Sequence, residues 1–228
     1  MIGIFSVIVV GFLLGMRHAT DPDHVIAVST IVSGERNLRR AAWIGVSWGL
    51  GHTLTIFLVG SGIILAKLVI PPRLGLAMEF AVCVVLVVLG WMKLRRPSEG
   101  NGVVLQPALH SHPHPDGMAS RWRMRALLVG IVHGLAGSAA AALLVLATIR
   151  DPYWATAYLL LFGAGTIAGM MLITLGIGST FRMMQGAGLS RYLGTASGLV
   201  SLGFGLVVAY RICVVSGLFT GHPQWTPQ

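Results

Sequence analysis

Six long apolar segments make a membrane-spanning fold the main option open to this chain of 228 residues. A spanning helix needs roughly 20 mostly apolar residues, because the hydrocarbon core of a bilayer is about 30 Å thick. Only 10% of the residues are charged, whereas soluble domains have about 25%. We therefore expect an all-α, polytopic membrane protein with about six transmembrane helices. The segments cover residues 2–32, 41–66, 75–94, 125–149, 154–180 and 192–216.

The basic residues predict how these helices are oriented. Apart from Arg17, eleven Lys and Arg residues lie in the first, third and fifth connections, and four lie on the opposite side. Because cytoplasmic loops carry an excess of Lys and Arg, we expect both termini outside. The net charge of +9 then reflects orientation in the lipid bilayer, and we expect no nucleic-acid partner.

The chain divides into two halves of three segments each. Residues 1–95 form the first half and residues 125–228 the second. Residues 96–124 are rich in Pro, Ser, Gly and His, which predicts a flexible cytoplasmic linker.

Short sequence matches relate the two halves. Residues 15–18 (GMRH) match residues 130–133 (GIVH) at a separation of 115, and residues 48–52 (WGLGH) match residues 162–166 (FGAGT) at a separation of 114. Because each half has an odd number of segments, the second would be inserted upside down. These matches predict a 3+3 inverted repeat, a plan in which transporters place an ion site between the repeats.

Five ionisable side chains interrupt the first apolar segment, namely Arg17, His18, Asp21, Asp23 and His24. A charge near the bilayer centre costs roughly 2.5 to 3.5 kcal/mol on insertion scales, so such groups usually pair or mark an ion path. Two imidazoles with two carboxylates form a ligand set that suits a divalent transition metal. The motif therefore predicts a metal site inside the membrane, with a buried ion-pair network as the alternative.

Pro22 predicts a kink or break in the first helix at this motif, because proline lacks the backbone donor and clashes with the carbonyl of His18. On a regular helix His18, Asp21 and His24 share one face, while Asp23 points away. A break would allow Asp23 to join them. Either carboxylate can bind the ion directly or hold a ligating imidazole from behind.

Four further residues are candidates for the site or its path. His52 follows Gly49 and Gly51 in the second segment, and we expect these glycines to bring it close to the first helix. His133, Arg17 and Glu79 are possible path-lining residues, although Arg17 can instead pair with an aspartate and Glu79 can be interfacial. The His-rich tract at 110–114 in the linker either collects metal ions or has no role in transport.

Residues 18–24 (HATDPDH) resemble the His-x4-Asp-His signature of the nickel/cobalt transporter family. Residues 50–53 (LGHT) are similar to that family's Leu-Gly-His-Ser/Thr motif in the following helix. The chain departs from the family in having six segments instead of eight, and in Pro22. The resemblance implies uptake of Ni²⁺ or Co²⁺ at the cytoplasmic membrane. The functional residues that it implies are His18, Asp21, Asp23, His24 and His52.

The sequence thus predicts a secondary permease, not an enzyme, with Ni²⁺ or Co²⁺ as transported substrate and no cofactor. A Gly-x4-Gly-Lys-Ser/Thr phosphate loop is missing, so we expect no ATP hydrolysis by this chain and no required ATPase subunit. One alternative is an exporter of the same metals. A metal-dependent membrane enzyme is less favoured, since the sequence has neither His-Glu-x-x-His nor Cys-x-x-Cys.

Overall fold

In the part of the chain that it describes, the computed structural model is built of helices. It describes residues 4–33, 35, 37–66, 71–95, 115–135, 145–146, 148–149, 151–184, 189–220 and 223–225. The helices are α1 (Ile4–His18), α2 (Pro22–Val32), α3 (Leu38–Ala66), α4 (Pro72–Arg95), α5 (Pro115–Leu135), α6 (Pro152–Met183) and α7 (Leu189–Tyr210), the last continued by a π-helical turn (Arg211–Val215). Since the described part contains no strand, the prediction of an all-α fold is confirmed.

Four of these helices have the length and apolar composition needed to cross a bilayer. They contain the apolar stretches Leu38–Gly62, Pro72–Arg95, Pro152–Met183 and Tyr192–Val215. Two shorter apolar helices, α1 and α2, together occupy the first predicted segment. The chain is therefore a polytopic membrane protein.

The region around α5 differs from the predicted boundaries. This helix begins at Pro115, ahead of residue 125, so the end of the predicted linker at 96–124 is helical. Residues 96–114, with the tract at 110–114, lie outside the described residues, as do residues 136–144 of the fourth predicted segment.

The predicted break in the first segment is confirmed between α1 and α2. Helix α1 ends at His18, and Pro22 opens α2. Asp21 occupies the N-cap position in extended geometry, with φ −59° and ψ 143°. Pro22 follows the N-cap as the first residue of the helix. Proline is favourable at this first helical position, because an N–H group there would have no partner within the helix.

The same helix contact occurs twice, each time between the two halves of the chain. A Cβ atom added at Gly15 of α1 would collide with the backbone carbonyl of Phe162 in α6, and one added at Gly130 of α5 would collide with that of Trp48 in α3. Gly15 and Gly130 correspond at the repeat separation of 115, as Trp48 and Phe162 do at 114. Helix α1 therefore packs on α6 as α5 packs on α3.

Contacts between corresponding helices show that the repeat is inverted. Gly49 of α3 faces Ile167 of α6, and Thr53 of α3 faces Gly163 of α6. Because residue numbers rise along α3 while they fall along α6, the two helices are antiparallel. The equivalent contacts between α4 and α7 are Gly90 with Leu202 and Gly205 with Val87. The helix pairing therefore agrees with the predicted 3+3 inverted repeat.

Candidate metal site

Three histidines from three helices meet in the interior of the bundle. His18 is the last residue of α1, His24 lies in the first turn of α2, and His52 lies in the middle of α3. His24 and His52 are fully buried, and His18 is 6% exposed. One ring nitrogen from each lies within 4.8 Å of the other two, and Nε2 of His18 is 2.9 Å from Nε2 of His52. The helices thus bring together three of the five predicted ligands.

The two aspartates of the motif contact the outer nitrogens of two of these rings. Asp21 Oδ2 lies 2.7 Å from Nδ1 of His18, and Asp23 Oδ1 lies 3.0 Å from Nδ1 of His24. A carboxylate accepts a hydrogen bond from an Nδ1–H group, which leaves Nε2 with a free lone pair. This arrangement is the one by which carboxylates orient metal-binding histidines.

The break between α1 and α2 explains why both carboxylates reach the site. On a continuous helix Asp23 would point away from His18 and His24. With the chain turned at residues 19–21, Asp23 instead bonds His24. Asp21, Asp23 and His24 also bring one ligand atom each within 4.8 Å of one another, so the aspartates are placed either to orient the imidazoles or to contact an ion.

His133 lies beside the three histidines. Its Nδ1–H donates to the Val129 carbonyl at 3.0 Å, and its ring centroid lies 5.6 Å from that of His24. It also packs against Trp48 at 5.0 Å, as His18 packs against Phe162 at 5.5 Å. These two contacts correspond at the repeat separation. The inverted repeat therefore places two aromatic–histidine pairs, each formed between the two halves, at the centre of the bundle.

Several buried nitrogens at this centre have no hydrogen-bond partner in the described part of the chain. They are Nε2 of His24, Nδ1 of His52, Nε2 of His133 and Nε1 of Trp48. A buried donor or acceptor that is left unpaired costs about 1–3 kcal/mol. Nε2 of His24 and Nε2 of His133 carry lone pairs, because Nδ1 of each ring donates its proton elsewhere, so these two atoms can accept a cation. The indole N–H of Trp48 can only donate a hydrogen bond and cannot bind a metal.

Two of the proposed path-lining residues lie apart from this cluster. Arg17 is exposed, and within the described residues it makes no ion pair with Asp21 or Asp23, so the alternative of such a pair does not hold. Glu79 accepts a hydrogen bond from Nε1 of Trp225 at 2.8 Å. Glu79 thus serves the packing of the C-terminal segment on α4.

The glycines around His52 act differently from the sequence-based expectation. Gly49 faces Ile167 of α6, and Gly51 faces the backbone of Leu127 in α5. They therefore allow close approach of α5 and α6 to α3, not of α1. Sequence reasoning also missed the contacts of Trp48 and Phe162 with histidine rings, although the repeat match pairs these two positions.

Fold and site together define the chain as a polytopic α-helical membrane protein with a buried histidine cluster. It is 36% identical, over 226 residues, to the urease accessory protein UreH of Bacillus sp. (strain TB-90), an alignment that covers 96% of each chain. The chain belongs to the family of this urease accessory protein.

More distant relatives occur in a plant. Two Arabidopsis thaliana proteins, chloroplast proteins FOR GROWTH AND FERTILITY 2 and 1, are each 26% identical to the chain over 211 residues. The alignments cover 87% and 86% of the chain but 54% and 56% of the plant proteins, so the chain spans about half of their length. No protein-family model and no solved structure matches the chain.

Proposed function

We propose that the chain is a secondary permease that carries Ni²⁺ across the cytoplasmic membrane into the cell. The observation that carries this proposal is the meeting of His18, His24 and His52 in the interior of a helical membrane protein. Neutral imidazoles are common ligands of divalent transition metals. A site built from a broken helix and its neighbours at the interface of inverted repeats is typical of secondary transporters.

In this proposal the three histidines bind the ion and the two aspartates support them. His18 and His24 use Nε2, because Asp21 and Asp23 occupy their Nδ1 atoms. Both aspartates are more accessible than the histidines, with side chains 35% and 18% exposed. They therefore also add negative charge on the side from which a hydrated cation would reach the imidazoles.

Nε2 of His18 and Nε2 of His52 lie 2.9 Å apart, the distance of a hydrogen bond between the two rings. A bound metal ion would replace this hydrogen bond, since each imidazole must be unprotonated at the nitrogen that binds the metal.

The family relationship favours nickel over cobalt. The Bacillus relative is named as an accessory protein of urease, and urease is a nickel enzyme. Co²⁺ shares the same ligand types, but a nitrogen and oxygen site binds it more weakly than Ni²⁺ in the Irving–Williams order. We therefore expect unlabelled Co²⁺ to reduce the uptake of radioactive Ni²⁺ less than the same concentration of unlabelled Ni²⁺ does.

The membrane potential supplies a driving force for uptake. Moving one charge across 100 mV is worth about 2.3 kcal/mol, so a divalent ion gains about 4.6 kcal/mol on entering a negative cell. Export would need a coupling ion to overcome this difference. We accordingly propose uptake without ATP hydrolysis, by six spans with both termini outside.

Accumulation of radioactive nickel and cobalt, each with the other as competitor, tests the proposal in cells with and without the protein. We expect nickel accumulation that depends on the protein and is lost in His52→Ala. The matched control is Ser179→Ala on α6, a half-buried residue whose hydroxyl donates to the carbonyl of Gly176 within the same helix. Lower cellular nickel in the presence of the protein would indicate export, and unchanged levels of both metals would refute transport.

A further inference from the structure

A buried lysine contacts the end of the short helix that carries His24. Lys93 of α4 is 7% exposed, and its Nζ donates to the backbone carbonyl of Ser33 at 2.7 Å. Its side chain runs over α7 at Gly194 and Gly198, where an added Cβ atom would lie 3.2 Å from lysine carbons. The two glycines thus leave the space in which the lysine reaches α2.

Ser33 is the C-cap residue of α2. Carbonyl groups at the C-terminal end of a helix lack partners within the helix and form the negative end of its dipole. The Lys93 ammonium group both satisfies one of these carbonyls and compensates the dipole. The Thr30 hydroxyl adds a weaker bond to α7, because its single proton is shared between the Ile26 carbonyl of α2 at 2.9 Å and the Ser197 carbonyl of α7 at 3.2 Å. Helix α2 is therefore hydrogen-bonded to α4 and α7.

These hydrogen bonds fix the position of α2 along its own axis, which apolar packing alone does not determine. Ala27, Val28 and Val32 bury one side of α2 in the core, but hydrophobic contacts are non-directional. With 11 residues, α2 is a rod of about 16 Å with His24 in its first turn and Ser33 just beyond its other end. A shift along its axis would move His24 relative to His18 and His52, which other helices hold.

We propose that Lys93 is a positioning residue that holds α2 in the register at which His24 meets His18 and His52. This inference rests on the proposed function, because it assigns Lys93 a role at the same nickel site. Metal sites tolerate errors of about 0.2 Å in ligand distance. Loss of the Lys93 bond should therefore act on nickel binding through His24 alone.

A double-mutant cycle on the purified full-length protein separates this role from general destabilisation. Lys93→Met keeps the apolar stem and removes the donor. By equilibrium dialysis with radioactive nickel, we expect it to weaken binding about tenfold, as for other supports of metal ligands. Both histidine backgrounds are measured at the higher nickel concentrations that their weaker binding requires. Lys93→Met should cause no further loss in the His24→Ala background, whereas in the His52→Ala background the tenfold loss should remain. Arg95→Met, which removes an exposed charge two residues away, is the control.

Equal losses in both histidine backgrounds would overturn the role of Lys93 and leave the nickel site standing. A wild-type protein that binds no nickel would overturn the proposed function and this inference together. Thr30→Val removes the second bond of α2 while keeping side-chain volume. If Lys93→Met does not fold, Thr30→Val replaces it in the cycle. Thr30→Val should then weaken nickel binding in the wild-type background but not in the His24→Ala background, and an equal loss in both backgrounds would refute the inference.

Discussion

Replacing Gly15 by alanine should push α1 away from α6 and take His18 out of the metal site. The added Cβ atom would overlap the carbonyl of Phe162 and lie 2.9 Å from the backbone nitrogen of Thr166. Ordinary contacts of a Cβ atom begin at 3.4 Å, so α1 has to move by at least 0.5 Å (3.4 minus 2.9). Because Phe162 and Thr166 present backbone atoms of a helix, they cannot turn aside as a side chain would.

This movement exceeds what the site tolerates. His18 lies one turn beyond Gly15, so Nε2 of His18 shifts with the helix, whereas metal–ligand distances allow about 0.2 Å. We expect nickel binding to weaken more than tenfold, since supports of metal ligands contribute 10- to 100-fold. Overpacking of this kind also lowers the free energy of unfolding by about 1–3 kcal/mol.

Gly176→Ala on α6 is the matched control, because a Cβ atom there meets nothing within 4 Å. Alanine favours a helix over glycine by about 1 kcal/mol, so this variant should keep its nickel affinity and unfold at the same or a higher temperature. Thermal unfolding in detergent and nickel dialysis measure both effects. A Gly15→Ala protein with unchanged nickel affinity would refute the packing of α1 on α6 described above.

Three other predictions concern the metal path. Asp23→Asn should weaken nickel binding by about 10- to 100-fold in dialysis, as expected of a residue that orients His24; a loss as large as that of His24→Ala would make Asp23 a direct ligand. Deleting residues 100–114, which precede α5, should leave nickel uptake in cells unchanged, and complete loss with normal insertion would place the His-rich tract on the path. Uptake should fall as the external pH drops below about 6.5, the ordinary pKa of histidine, because a protonated imidazole cannot bind metal; uptake that stays flat at a clamped potential would indicate carboxylate ligands instead.

The sequence predicts the site better than it predicts the packing that forms it. Pro22 and the polar motif around it suffice to predict the helix break and a cluster of ionisable side chains at it, because backbone sterics and the cost of charge in a bilayer are local properties. Which helices surround His52 depends on contacts between distant segments. Gly49 and Gly51 indicate that another helix packs closely on α3, but they do not indicate which one. The structure shows that the neighbours are α6 at Gly49 and α5 at Gly51.

The role of Lys93 likewise depends on helix packing that the sequence does not predict. In the sequence it is one of several basic residues at the end of an apolar segment, where a role in membrane orientation is the natural interpretation. Only the packing of α4 on α7 shows that this lysine is buried and reaches the end of α2. The helix count around the fourth predicted segment, 125–149, stays a prediction, since residues 136–144 lie outside the described part.

Nickel flux into proteoliposomes distinguishes transport by the histidine cluster from every alternative. The purified protein is reconstituted with a nickel-sensitive dye inside, and a potassium gradient with valinomycin sets an inside-negative potential. We expect nickel entry that rises with the potential, needs no ATP, and is lost in His18→Ala, His24→Ala and His52→Ala proteins that reconstitute equally well. Nickel entry that is the same in these variants as in the wild type, or no entry above protein-free vesicles, would contradict transport by the cluster.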